Sequence, residues 1–118
     1  MAKPLYHPTF EQIQLPGVLD ALSDPMRLEI VMRLDAEGEK RCSALGEYGS
    51  KTNLSYHLAR LREAGVTATR AEGAFRIISL RRKDLEAKFP GLLDTVLRSA
   101  RAVAAAAGRK VRRKPVAA

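Results

Sequence analysis

The stretch "KTNLSYHLARLREAG", Lys51 to Gly65, decides the fold. At 100° per residue Leu54, Leu58 and Leu61 fall in one narrow sector of a helix. Thr52, Tyr56, Ala59, Arg60 and Glu63 gather around the opposite direction, with Asn53 and Ser55 on the flanks. His57 lies nearer the leucines. An ordinary solvated helix more often carries Glu and Lys in i,i+4 pairs. The outward face here offers hydroxyls, an amide, a phenol and a guanidinium. Such groups suit phosphate oxygens and base edges in a major groove, and Ala59 leaves room for close approach. The helix is either solvated surface or a reader of duplex, and its neighbours must decide.

Upstream, "SDPMRLEIVMRLDAEG" predicts a helix with Asp24 as cap, Pro25 in the first turn and Gly38 at the end. Before it, "LPGVLDAL" predicts another, with Leu15, Val18, Leu19 and Leu22 apolar. Thr9 and Gln12 have capping-box spacing. "RCSALGEYG" has room only for a short helix. Downstream, Val66, Ala68, Phe75 and Ile77 suggest two strands joined by a turn at Glu72-Gly73. "RRKDLEAKFPGLLDTVLRSARAVAAAAG" is helical and interrupted at Pro90. Its later part carries a stripe of Leu93, Val96, Leu97, Ala100, Val103 and Ala104. Short helix, tight turn, longer helix and basic hairpin describe a winged helix-turn-helix, mainly α with a small β-hairpin.

The 118 residues suffice for one domain with a modest core. Residues 1–8, with Pro4 and Pro8, form an arm, residues 9–107 the domain, and residues 108–118 a basic, disordered tail. The net charge is +8, but "RKVRRK" (Arg109 to Lys114) supplies five positive charges, leaving +3 for residues 1–108. Charge thus permits nucleic-acid binding without establishing it. No apolar run is long enough for a bilayer, so no membrane partner is expected, and "MAKPLYHP" lacks a signal-peptide core. One cysteine, Cys42, excludes an internal disulfide. A cytoplasmic protein is expected.

"LSDPMRLEIVMRL", "SKTNLSYHLARLREAGV" and "TRAEGAFRIISL", in this order, closely resemble the ArsR/SmtB family of bacterial winged helix-turn-helix regulators. The resemblance covers roughly residues 15–105. Its most specific part is Ser55, His57, Leu58, Leu61, Arg62, Glu63, Ala64 and Gly65. It implies a homodimer joined by terminal helices that binds a palindromic operator in double-stranded DNA, usually to repress. It also implies an effector, whose chemistry the sequence leaves open. The positions matching the family's DNA contacts are Lys51, Thr52, Asn53, Ser55, Tyr56 and His57, with the wing near Arg70 and Arg76. Arg60 joins them from the outward face.

The chain departs from the family's metal sensors. A thiophilic metal needs three or four soft or imidazole ligands, and "RCSALGEYG" offers one cysteine. The C-terminal helix has Asp94 and no histidine. No metal and no cofactor are expected. Cys42 is read as a packed thiol, against the alternative of a redox switch favoured by Lys40 and Arg41. No nucleophile-base set, phosphate loop or paired-carboxylate pocket suggests an enzyme. Two other classes remain: a protein-interaction module, and a non-specific DNA binder working through the basic tail.

Overall fold

A computed structural model of the chain describes residues 5–108. Helix α1 spans Leu15–Leu22 and α2 spans Pro25–Glu37. The two-residue strand β1, Lys40–Arg41, follows, then a 3₁₀ segment, Cys42–Tyr48. Helix α3 is Lys51–Glu63, β2 is Thr67–Glu72 and β3 is Phe75–Leu80. Helices α4, Arg82–Lys88, and α5, Leu92–Ala106, complete the order, a mainly helical winged helix-turn-helix. None of the described helices is long and apolar enough to cross a membrane.

Local chemistry sets most boundaries. Ser50 caps α3 by accepting the Asn53 N–H at 3.1 Å. The helix ends in a Schellman motif: Val66 N–H bonds Leu61 C=O and Gly65 N–H bonds Arg62 C=O, both at 3.0 Å. Gly65 sits at φ +87°, in the left-handed region. Proline and glycine separate α4 from α5, with Gly91 at φ +81°. Asp24 occupies the N-cap position of α2 but makes no capping hydrogen bond, contrary to expectation. Its carboxylate turns instead toward His57, 3.6 Å away.

The sheet has one strand more than the sequence suggests. Its order is β1-β3-β2, all antiparallel, with Arg41 opposite Ile77 and Arg70 opposite Ile77 from the other side. Two residues are too few to show the period-2 alternation that marks a strand. The hairpin turn also lies one residue later than expected. Glu72 pairs with Phe75, so Gly73 and Ala74 form the turn. Gly73 takes φ +60° and Ala74 stays at negative φ, the type II′ arrangement that follows strand twist.

The core lies where α2, α3 and the sheet meet. Ile30, Val31 and Leu34 of α2 pack with Leu54, Leu58 and Leu61 of α3, Leu45, Val66 and Ile78. Leu93 and Leu97 hold α5 against this cluster. Asp35, buried on α2, is bracketed by the guanidinium groups of Arg82 and Arg101, which ties α4 and α5 to α2. The segment before α1 holds one short 3₁₀ helix, Phe10–Gln12, where Gln12 accepts from Thr9 N–H at 2.8 Å, and it is fastened down. Arg62 donates to Tyr6 C=O (3.1 Å), Thr69 N–H to His7 Nε2 (2.9 Å) and Arg81 to Pro8 C=O (2.8 Å).

Candidate nucleic-acid interface

The leucine face of α3 is buried, and that burial fixes which side chains project. Leu54 and Leu58 are 5% exposed and Leu61 is fully buried. Lys51, Thr52, Ser55, Tyr56 and Arg60 are exposed on the same helix. Tyr56 retains 55% of its surface, a large aromatic left in water. Arg60 is held only loosely, 4.0 Å from Asp20 and 3.7 Å from Glu63.

Two members of the expected set turn inward. His57 is buried, with Nδ1 3.3 Å from Arg27 Nη1 and 3.6 Å from Asp24 Oδ2. Arg27 in turn donates from Nε to Ala21 C=O at 2.8 Å and from Nη2 to Asp20 C=O at 3.3 Å. His57, expected among the DNA contacts, therefore sits in a polar junction of α1, α2 and α3, away from the outward face. The helical wheel already leans it toward the leucines, but Arg27 stands thirty residues earlier and only the fold brings it near. Asn53 is half-buried, and its amide nitrogen faces Met26 Sδ (3.5 Å) and Tyr48 C=O (3.4 Å).

The wing divides its two arginines. Arg70 pairs with Ile77 and Arg76 with Ala71, so neighbouring positions on β3 place them on opposite faces. Arg70 is engaged by carboxylates: it forms a bidentate pair with Glu39, 2.8 Å at each nitrogen, and bonds Glu72 at 3.1 Å. Hydrogen bonding to Glu39 and then Glu72 raises the guanidinium's pKa. The same bond from Arg70 holds the Glu39 carboxyl below its ordinary range. Arg70, expected as a wing contact, thus shares its charge with two carboxylates at the exposed edge of the sheet. Arg76 is exposed and lines a groove of about 590 Å³ between the wing tip and the start of α3.

Cys42 is half-buried at the start of the 3₁₀ segment and borders this groove. Among the described residues no three His, Cys, Asp or Glu side chains gather where they could hold a metal ion. His7 is occupied in accepting from Thr69 N–H, and the basic tail lies outside the described residues.

No family model matches the chain. It is 42% identical over 82 residues to YceK, an uncharacterized HTH-type transcriptional regulator of Bacillus subtilis (strain 168); the match covers 67% of this chain and 82% of that protein. The crystal structure of the transcriptional repressor BigR from Xylella fastidiosa is 28% identical with TM-score 0.55, over 77% of this chain and 83% of that one. Mb0332 from Mycobacterium bovis, a homodimeric winged helix-turn-helix DNA-binding domain described as a possible ArsR-family regulator, is 25% identical with TM-score 0.53, over 79% and 77%. With the helix order, the wing and the exposed face of α3, these likenesses establish that the chain belongs to the ArsR family of winged helix-turn-helix, DNA-binding transcriptional regulators.

Proposed function

We propose that the protein is a repressor that binds a palindromic operator as a homodimer and reads sequence with the exposed face of α3. The observation that carries this reading is the exposure of Thr52, Ser55, Tyr56 and Arg60 opposite three buried leucines. Hydroxyl, phenol and guanidinium groups on a helix that fits a major groove can bond base edges, and Lys51 and Arg76 add phosphate contacts.

The homodimer is supported by apolar surface that one subunit leaves open. Leu15 and Leu19 of α1 are 41% and 46% exposed, and Val103 of α5 is 65% exposed. Val103 also borders an apolar groove of about 480 Å³ between α2 and α5, lined by Leu28, Met32, Val96 and Ala100. A second copy would cover this surface and supply the two-fold axis that a palindrome requires.

The test is selection of bound sequences from a pool of random duplexes. A recovered motif with two-fold symmetry, together with loss of expression from a promoter carrying it, is the expected result. Enrichment without any shared motif would reject sequence-specific reading and favour non-specific binding.

A further inference from the structure

We propose that the groove between the wing tip and the start of α3 is the track for the sugar-phosphate backbone of one DNA strand, with Arg41 as a phosphate contact. The proposal rests on the DNA-reading role of α3 and adds a residue and a boundary to it. Three elements border the groove. Arg41 comes from β1 on the Ile77 face of the sheet, Lys51 from the first turn of α3, and Arg76 from β3, which it leaves on the opposite face. The lining includes three cations and no carboxylate. None of the three is in an ion pair among the described residues. Elsewhere on the wing the balance is reversed: Arg70 is shared between two carboxylates.

Arg41 is also held in place for this role. Its guanidinium lies over the Phe75 ring, 3.8 Å from the centroid. Phe75, 46% exposed at the wing tip, has no core to fill. The stack restrains a long side chain and leaves its N–H groups at the edge, free to meet a phosphate in the plane of the guanidinium. Such a surface fits a polyanion running past both wing and helix, and it carries no base information. The wing's electrostatic contribution therefore comes from Arg41 and Arg76, and Arg70 serves the sheet.

The experiment measures duplex affinity against salt concentration by fluorescence anisotropy for the full chain. Arg41→Ala and the milder Arg41→Gln should each lower the slope of log K against log salt by about 1, and weaken binding to operator and to unrelated duplex alike. The double variant Glu39→Ala, Arg70→Ala preserves formal net charge and should keep the wild-type slope. Circular dichroism melts check that each variant is folded. Wild-type slopes in both Arg41 variants, with operator binding intact in the parent, would overturn the groove assignment alone. A parent that retains no duplex would overturn the DNA-reading role and this assignment with it.

Discussion

A methyl group placed on Gly65 would lie 2.5 Å from Cγ1 of Ile13. Ile13 is 1% exposed and walled in by the core, so it cannot step aside cheaply. Gly65 also holds the left-handed φ that completes the end of α3. Gly65→Ala should therefore destabilise the protein by at least about 1–2 kcal/mol from backbone conformation, with the clash adding to it. Urea denaturation measures this. A variant as stable as the parent would mean that the approach of Ile13 is not tight in solution.

Tyr56→Ala and Arg60→Ala should each weaken operator binding by about 1–3 kcal/mol if each makes a good base contact, and relax the preference at one base pair. Both side chains are exposed, so neither change should alter the melting temperature appreciably. His57→Ala should act differently. It empties a buried site and removes a partner of Arg27, so stability should fall. Titration of operator with the three folded variants separates the effects. Parent-like binding by both Tyr56→Ala and Arg60→Ala would refute the assigned face.

Val96→Asp combined with Val103→Asp should yield monomers that bind operator poorly. Both side chains border the open groove beside α5, where a carboxylate would be desolvated by a second subunit. Sedimentation velocity at micromolar concentration should show dimer for the parent and monomer for the variant. A parent that sediments as a monomer would reject the assembly.

The Arg70–Glu39 pair gives a pH signature. The Glu39 carboxyl is held below its ordinary range by the Arg70 bond, so the tie is complete above the unfolded carboxylate value of about 4.3 and is lost as pH falls through the folded value. An NMR titration of Glu39 should show a midpoint that rises in Arg70→Ala. Equal midpoints would show that the pair does not persist in solution.

Cys42→Ser should leave operator binding unchanged. The thiol is half-buried and stands at the border of the basic groove as its single cysteine. Peroxide should not release the parent from DNA. Release in the parent, absent in Cys42→Ser and reversed by a thiol reductant, would identify a redox switch.

The parts of this fold that are legible in the sequence are those with local causes. The leucine spacing of α3, Gly65 behind it and the glycine of the wing each act within a few residues. Ser50 also acts locally, capping the helix from the position directly before it, although it is not among the caps expected from the sequence. Other features depend on chain segments far apart. Asp35 meets Arg101 across sixty-six positions, and Arg27 meets His57 across thirty, so no local pattern announces either. Asp24 has the right residue type for a cap, yet a buried histidine competes for its carboxylate. In the candidate site, the outward set follows from the helical period. The pairing of Arg70 and the freeing of Arg41 follow from which strands are neighbours, and β1 is too short to be seen.

The fastening of the opening segment has a consequence in time. Tyr6, His7, Pro8 and Phe10 accept hydrogen bonds from Arg62, Thr69, Arg81 and Lys88, at separations of 56, 62, 73 and 78 residues. During synthesis this segment is made before all of its donors. A chain translated only as far as Leu61 has none of these four donors to offer it. A segment made earlier than its donors is thus among the last to be seated, and it closes over a helix, a strand and a second helix already in place.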